Sequence, residues 1–355
     1  VAAGAVQMGA RTVLIEAGEM GGDCLNTGCV PSKALIAAAK AAEAQRRGFR
    51  GIGPVDPQVD FGAVKDHVAA VIARIAPVDR QERFEDLGCT VLRAFARFTG
   101  PREVQAGDTT IRARRFVIAT GSRPLVPQIQ GVDSVPYLTN ETIFDLRERP
   151  RHLIIIGGGP IGIELAQAHR RLGCAVTVVE GAQVLGREDP ELAAMVIEAL
   201  RAEGIAFIEG QPVVRLAGKA GAVEVTLGDG GQIAGTHLLI AVGRKVALDG
   251  MNLESAGVAH TPKGVTVDTR LRSSNRRVYA VGDAAGGLQF THVAGWHAGI
   301  VVRQAVLGLP AKAYPRALPR VTYTDPELAR VCLAAKSCLS HCNCGLQQSE
   351  SSSHS

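Results

Sequence analysis

Aromatic side chains are scarce in this chain of 355 residues, where Phe, Trp and Tyr together make up 4%. A protein that stacks the bases of single-stranded nucleic acid on aromatic rings needs more of them. Apolar runs of about eighteen residues are also missing, so the sequence predicts no membrane span. A basic and apolar leader is missing too, so we expect no export signal and a cytoplasmic location.

Charge of one sign is not concentrated anywhere in the chain. Lys and Arg total 39 and Asp and Glu total 34, and the resulting net charge of +5 is spread out, which argues against a nucleic-acid surface. Eight cysteines in so long a chain do not form the disulfide framework of a small secreted protein. Glycine, in contrast, is abundant at 41 residues, which is typical of tight turns and nucleotide-binding loops.

A dinucleotide-binding unit is predicted in the second half of the chain. The apolar segment His152–Ile156 predicts a buried parallel strand, and the sequence 157–162, Gly-Gly-Gly-Pro-Ile-Gly, fits the G-x-G-x-x-G turn before a helix. The next predicted strand ends at Glu180, where a carboxylate binds the 2′-hydroxyl of NAD and repels the 2′-phosphate of NADP. We therefore predict an NAD site, with NADP less favoured and Arg187 as the residue that argues against this preference.

The start of the chain carries part of a second such unit. A small apolar helix over 1–10 leads through a Gly turn into a short strand that ends at Glu16, where a carboxylate can accept both ribose hydroxyls of an adenosine. We expect the first strand and Gly-rich turn of this unit to lie upstream, which makes the chain a fragment. Further helices are predicted over 60–75, 78–87 and 141–147.

The most informative stretch is 21–33, Gly-Gly-Asp-Cys-Leu-Asn-Thr-Gly-Cys-Val-Pro-Ser-Lys. Cys24 and Cys29 lie at the entrance to a predicted helix, whose N-terminal partial charge stabilises a thiolate, so the pair can close a small ring and reopen it. A zinc half-site or two unrelated buried cysteines are the alternatives, although a zinc site would need two further ligands. Cys89 and Cys174 stand alone, and we expect both to be core residues.

This stretch resembles the active-site signature of the class I pyridine nucleotide–disulfide oxidoreductases, which include dihydrolipoamide dehydrogenase, glutathione reductase and mercuric reductase. Ala-Thr-Gly at 119–121 and Val-Gly-Asp at 281–283 follow in the order of the family, and the resemblance extends to about residue 331. It implies an α/β fold of two interleaved Rossmann-like domains, one for FAD and one for NAD, with the C-terminal interface domain largely missing. Mercuric reductase-like proteins are the most similar group, and dihydrolipoamide dehydrogenase is the alternative.

The resemblance also implies a set of site residues. The implied catalytic residues are Cys24, Cys29, Lys33 and Glu164, with Cys29 nearest the flavin, Cys24 exchanging with substrate, and Lys33 paired with Glu164. The implied FAD contacts are Glu16, Gly22, Lys33, Thr120, Gly121, Ser122, Asp283, Gln289, Phe290, Thr291 and His292. The implied NAD contacts are Gly157, Gly159, Pro160, Ile161, Gly162, Glu164, Glu180, Val213 and Gly243. No resident metal site is predicted.

The predicted organisation has five segments. They are 1–150, the first segment of the FAD-binding domain; 151–275, the NAD(P)-binding domain; 276–318, the second FAD segment; 319–331, the start of a dimerisation domain; and 332–355, an unrelated tail rich in Cys and Ser. Four cysteines of that tail, with His341, could bind a soft metal, but an out-of-frame tail without function is the favoured interpretation.

The implied reaction moves electrons from NAD(P)H through FAD to the Cys24–Cys29 disulfide, and on to a disulfide or metal-ion substrate. Intact members of the family are homodimers, and their partner subunit supplies a His–Glu base that we do not find in this sequence. A catalytically dead fragment that retains at most nucleotide binding is the alternative from another class. We expect residues 1–355 alone to bind FAD poorly or not at all, because the upstream turn would hold its pyrophosphate.

Overall fold

The computed structural model describes residues 1–314 and 318–331. The soft-metal site considered as an alternative for the tail 332–355 therefore lies outside the described residues. The α-helices are α1 (Ala2–Gln7), α2 (Gly22–Asn26), α3 (Cys29–Arg47), α4 (Phe61–Ile75), α5 (Gln81–Asp86), α6 (Pro160–Arg171), α7 (Pro190–Ala202) and α8 (Thr291–Ala305). The strands are β1 (Val13–Ile15), β2 (Thr90–Leu92), β3 (Ala96–Gly100), β4 (Glu103–Ala106), β5 (Thr109–Arg112), β6 (Phe116–Ile118), β7 (Ser122–Pro124), β8 (His152–Ile156), β9 (Ala175–Glu180), β10 (Ala206–Glu209), β11 (Val213–Lys219), β12 (Ala222–Leu227), β13 (Gln232–Gly235), β14 (His237–Ile240), β15 (Arg244–Val246), β16 (His260–Thr261), β17 (Gly264–Val265), β18 (Val278–Ala280), β19 (Arg320–Thr322) and β20 (Leu328–Arg330).

A four-stranded parallel sheet, in the order β10-β9-β8-β14, forms the centre of the second unit. Its strand β8 is apolar from Leu153 to Ile156 because both faces of the sheet are covered there. Leu153 and Ile155 face a core that contains residues of α6 and α7, whereas Ile154 and Ile156 face the antiparallel sheet β11-β12-β13. This layered arrangement brings the turn after β8 to one exposed edge, which is where parallel sheets of this kind bind ligands.

The first unit is built from strands on both sides of the second one in the sequence. Strand β1 pairs with β2 in parallel, and β6 pairs in parallel with β18, which returns after the whole second unit. Pairing of β6 with β18 means that the two units are interleaved, as predicted, so the α/β fold class is confirmed. An antiparallel sheet, β3-β4-β5, completes this part of the molecule.

The helix predicted over 141–147 is wrong, since the structure has only a short 3-10 turn at Ile143–Asp145. The ammonium of Lys65, a buried residue of α4, donates a hydrogen bond to the Ile143 carbonyl at 3.0 Å. An α-helix through this segment would need that carbonyl for its own backbone ladder. A tertiary contact has therefore replaced the local preference.

Strands β19 and β20 form an antiparallel hairpin, and its connecting residues, Tyr323–Glu327, are called the hairpin loop below. The loop packs against α6, where the N–H of Tyr323 donates to Glu164 and the N–H of Asp325 donates to Gln167. Among the described residues no helix is long and apolar enough to cross a membrane.

The glycines of the turn after β8 give a stability test. A Cβ atom on Gly162 would lie 2.1 Å from the Gly157 carbonyl oxygen, whereas one on Gly159 would meet nothing within 4 Å. Gly162→Ala should therefore lower the free energy of unfolding by about 1–3 kcal/mol, and Gly159→Ala should leave it unchanged. Urea unfolding of both variants measures this difference, and equal midpoints for the two would contradict the packing described here.

Candidate active site

The two cysteines of the predicted dithiol lie on consecutive helices. Cys24 is part of α2, and Cys29 is the first residue of α3, with Gly28 as the N-cap. A Cβ on Gly28 would lie 2.8 Å from the backbone oxygen of Asp23, so only glycine fits the short connection between the helices. Both cysteines are free thiols here, Cys24 half-buried and Cys29 exposed. Cys29 thus stands at a helix N-terminus, whose partial positive charge favours its thiolate.

Cys29 is the more acidic of the two thiols. The hydrogen bond from Cys24 lowers the pKa of Cys29 to about 6, and the Thr291 hydroxyl and the Lys33 charge act in the same direction. The Thr291 Oγ1 lies 3.4 Å from the Cys29 Sγ, while burial and the Asp23 charge oppose the shift. The same hydrogen bond raises the pKa of Cys24 far above its ordinary value. At neutral pH the reduced pair therefore carries its charge on Cys29.

Lys33 and Glu164 form an ion pair between α3 and α6. The Lys33 Nζ lies 2.6 Å from Glu164 Oε2, and the other carboxylate oxygen accepts the backbone N–H of Tyr323 at 2.9 Å. The Tyr323 ring also covers Lys33, whose Nζ lies 4.4 Å from the ring centroid. The Glu164 side chain is only 8% exposed, so this carboxylate is largely removed from water and has both oxygens satisfied.

Two groups predicted to contact FAD meet directly, although 161 positions separate them. The Ser122 hydroxyl donates to Asp283 at 2.6 Å. Arg244 donates to both the hydroxyl and the carbonyl of Ser122 at 2.7 Å, and its guanidinium also lies 3.1 Å from Asp23 on α2. A chain of polar contacts thus joins Asp283 to the dithiol segment. Asp283 keeps further acceptor capacity for hydroxyl groups.

The remaining predicted FAD contacts are mostly exposed side chains and turns. Gly22, Thr120, Gln289, Thr291 and His292 are exposed, and Gly121 and Phe290 are half-buried. Glu16 follows β1 and accepts the N–H of Gly18 at 2.7 Å with one of its oxygens. Thr291 begins α8 with Phe290 as the N-cap, and the Phe290 and His292 rings stack with centroids 5.4 Å apart. Thr291 contacts Cys29, and the contact of each of these residues with FAD stays a prediction.

The turn after β8 has the geometry of a pyrophosphate site. Gly157 has a φ of +112°, and a Cβ there would lie 2.5 Å from the Ala241 carbonyl oxygen. Gly159 is the N-cap of α6 and borders open space, and Pro160 occupies the first turn of that helix. The open approach to a helix N-terminus fits a phosphate group.

Glu180 lies at the carboxyl end of β9 beside this turn. Its two oxygens accept the N–H groups of Gly158 at 2.7 Å and Ala182 at 3.0 Å. A carboxylate has about four acceptor positions, so two remain for ribose hydroxyls. Arg187, which argued against NAD, is exposed in the loop between β9 and α7.

The other predicted NAD contacts lie at or near the same edge. Ile161 is 38% exposed in the first turn of α6. Gly243 follows β14, the neighbour of β8, and has a φ of +142°. Val213 begins β11 directly after Pro212, whose Cα would lie 3.8 Å from a Cβ on Gly181. The structure therefore brings these residues together, and their contact with NAD stays a prediction.

Sequence reasoning missed three residues of this site. Arg244 directly follows Gly243 and begins a strand, and this position could have marked it as a site residue. Asn140 donates to Asp23 and to the Thr27 carbonyl, both at 3.3 Å, but no feature of its neighbouring sequence indicates this. Tyr323 was noted only as part of the start of the dimerisation domain. Cys89 and Cys174 are buried core residues, as predicted. In residues 1–314 and 318–331, no three His, Cys, Asp or Glu side chains are placed to hold a metal ion.

Comparison with protein families gives a match over residues 1–298 to the family described as pyridine nucleotide-disulphide oxidoreductase. A mercuric reductase of Streptomyces lividans is 39% identical over 339 residues, which cover 91% of this chain and 70% of that protein. A dihydrolipoyl dehydrogenase of Thermus scotoductus is 35% identical over 92% of this chain and 71% of its own length. The chain spans 53% of the length of a Bacillus cereus mercuric reductase, to which it is 33% identical over 92% of its residues.

Solved structures give the same result for the fold. The Cu(II) complex of an HOCl-induced flavoprotein disulfide reductase from Escherichia coli superposes with a TM-score of 0.85 at 28% identity. The match covers 96% of this chain and 76% of that one.

The hydroxyl of Thr291 gives a test of the thiol geometry. Thr291→Val removes the donor to Cys29 without changing the side-chain shape, so the pKa of Cys29 should rise from about 6. Alkylation of the reduced chain by iodoacetamide, followed at Cys29 by mass spectrometry, should slow at least about twofold at pH 6 and stay unchanged at pH 9. Thr291→Ser retains the hydroxyl and serves as the control. An unchanged pH profile for Thr291→Val would contradict a role of the Thr291 hydroxyl in lowering the pKa of Cys29.

Proposed function

The chain belongs to the pyridine nucleotide-disulphide oxidoreductase family, and from that premise we propose that it moves electrons from NAD(P)H through FAD to the Cys24–Cys29 disulfide. The observation that carries the proposal is the acidic Cys29 thiol at the start of α3, on the same helix as a lysine paired with Glu164 of the nucleotide-binding unit. The reduced Cys24–Cys29 dithiol would then pass its electrons to a substrate, either a second disulfide or a metal ion.

The residues of the second unit would hold the nicotinamide cofactor. The α6 N-terminus at Gly159 and Pro160 would bind the pyrophosphate, and Glu180 the adenosine ribose. Glu164 lies one turn further along α6, with Lys33 beside it. We propose that this pair orients the nicotinamide and sets the local charge, with the Glu164 carboxylate held in place by its two hydrogen-bond donors.

In the first unit, Asp283, Ser122, Thr120 and Glu16 would hold the FAD. A bound flavin supplies the two-electron step that joins hydride transfer from the nicotinamide to reduction of a disulfide. Arg244 would keep Ser122 and Asp283 in register, since it bonds both oxygens of Ser122. The placement of these groups supports the proposal, and each contact with FAD is a proposal of its own.

Reduction of the disulfide takes two electrons and breaks the bond between Cys24 and Cys29. Cys29 is left as the thiolate and Cys24 takes up one proton, which follows from their opposite pKa shifts. Cys24 must lose that proton before its sulfur can attack a substrate disulfide or bind a metal ion. The exchange half of the reaction therefore needs a base, and a His–Glu pair from a partner subunit of a homodimer is the candidate that the resemblance implies.

Two relatives of this chain favour different classes of substrate. Similarity to a mercuric reductase at 39% identity favours a soft metal ion, which two thiolates bind well. Similarity to a dihydrolipoyl dehydrogenase at 35% identity favours a small disulfide instead. A nucleotide-binding protein without redox activity is the alternative from another class. We also propose a cytoplasmic location, because a cysteine pair in redox use is typical of a reducing compartment.

Absorption spectroscopy tests the proposed electron path. We expect the chain to hold FAD poorly or not at all, so the test is made in excess FAD. There the chain should speed the bleaching of the flavin spectrum by NADH in the absence of oxygen. Lys33→Ala should bleach at least about tenfold more slowly, because the Glu164 carboxylate loses its partner. Cys29→Ser should still bleach but should lose any long-wavelength band that depends on the thiolate.

Either of two outcomes decides between the classes of function. Faster bleaching of flavin by NADH in the presence of the chain would support the oxidoreductase, and NADH oxidation with Hg(II) or with lipoamide would then identify the substrate class. A chain that binds NADH but does not speed the bleaching in excess FAD would support nucleotide binding alone and would overturn the proposed reaction.

Glu180 gives the test of cofactor preference. The chain should bind NADH at least about tenfold more tightly than NADPH, because the carboxylate repels the 2′-phosphate. Glu180→Gln keeps an acceptor for the Gly158 N–H but removes the charge, so the preference should fall to within about threefold. Glu209→Gln, which changes the carboxylate at the end of the adjacent strand β10, should keep the preference. Fluorescence titration with both nucleotides measures it, and NADPH preference in the unmodified chain would contradict the assignment.

A further inference from the structure

The hairpin loop Tyr323–Glu327 lies against two helices that carry site residues. On α6 it meets Glu164, Gln167 and Arg171, which share one helix face by their spacing of three and four residues. Gln167 holds the loop backbone from both sides, since it accepts the N–H of Asp325 at 2.9 Å and donates to its carbonyl at 3.0 Å. The loop is therefore held along two turns of α6.

The middle of the loop, Asp325, is held by a buried cation. The Arg171 side chain is 2% exposed and contacts Asp325 Oδ2 at 2.8 Å and both oxygens of Glu203. Arg47, at the last turn of α3, contacts Asp325 at 3.2 Å and Glu203 at 3.1 Å. The Asp325 carboxylate therefore bonds α3 and α6 at once. A buried guanidinium needs such partners, so this contact gives the loop one defined position.

The near end of the loop is part of the redox site itself. Tyr323 gives its N–H to Glu164, and its ring lies over the Lys33 ammonium. A cation above an aromatic face is attracted by the ring quadrupole, and the ring also shields it from water. Lys33 is 37% exposed even with the ring in place. Loss of the loop would remove this ring and one of the two donors to Glu164, so the Lys33–Glu164 pair would be more exposed to water.

We propose that the hairpin loop is a positioning element of the redox site. Asp325, held by Arg171 and Arg47, sets the place of Tyr323, and Tyr323 holds the Lys33 charge one helical turn from Cys29. Tyr323, Asp325 and Arg171 are thus positioning residues that act through Lys33 and Glu164. The use of this arrangement in catalysis rests on the proposed function, whereas its effect on the thiol does not.

Several groups set the charge environment of Cys29. Cys24 and Asp23 face it from α2, Thr291 from α8 and Lys33 from its own helix. Of these, only Lys33 is in contact with the hairpin loop. An ammonium that is more exposed to water is screened more strongly and stabilises a nearby thiolate less. Release of the loop should therefore make Cys29 a weaker acid, with the other three groups unchanged.

The pH dependence of Cys29 alkylation in the reduced full chain, without cofactors, tests the proposal. Asp325→Ala should slow alkylation about twofold at pH 6 and leave the rate at pH 9 unchanged, since the thiol is fully ionised there in both proteins. Tyr323→Leu, which keeps the backbone N–H but removes the ring, should move the profile in the same direction. Native-state hydrogen exchange at the Tyr323 amide should be faster in Asp325→Ala.

Glu327→Gln is the matched control, because it removes an exposed ion pair of the same loop with Lys40 and leaves Tyr323 in place. That variant should have the alkylation profile of the unmodified chain. Unchanged profiles for both Asp325→Ala and Tyr323→Leu would overturn the proposal, even if NADH bleached the flavin. A chain that failed to bind NADH, or that did not speed flavin bleaching in excess FAD, would contradict the proposed function and leave this test intact.

Discussion

The ion pair between Lys33 and Glu164 is the interaction on which the rest of the site depends. Lys33 belongs to the helix that begins at Cys29, and Glu164 to the helix that begins at the nucleotide-binding turn. Glu164 is largely buried, so removal of Lys33 would leave an uncompensated carboxylate away from water. The distance of 2.6 Å therefore fixes α3 against α6, and with them the thiols against the nucleotide-binding turn.

The asymmetry of the two thiols is a product of the same arrangement. Cys29 has the helix N-terminus, the Thr291 hydroxyl and the Lys33 charge on its side, while Cys24 donates to it and keeps its proton. Cys29 is thus the thiol that carries the negative charge, and Cys24 is the thiol that a base must deprotonate. Such a division suits a dithiol with a flavin on one side and a substrate on the other, as the family membership implies.

Much of the fold and of the site followed from local pattern. The strand, Gly turn and helix around residues 152–171 were predicted because each depends on neighbours a few positions away, and Gly162 fits by contact with Gly157. The position of the two cysteines at the entrance to a helix, α3, is another such case. The segment 141–147 failed for the opposite reason, since Lys65 of a distant helix takes the carbonyl that a local helix would use.

The sequence by itself determined which reactive groups the chain carries. They are two thiols five positions apart and two nucleotide-binding units, each with a glutamate at the end of a strand, Glu16 and Glu180. Only the tertiary structure decided how these parts meet. Ser122 reaches Asp283 across 161 positions, and the hairpin loop adds Tyr323 to the Lys33–Glu164 pair, which the family resemblance had implied. No periodicity or spacing encodes such contacts, because they arise from packing of whole helices and strands whose relative positions depend on the entire core.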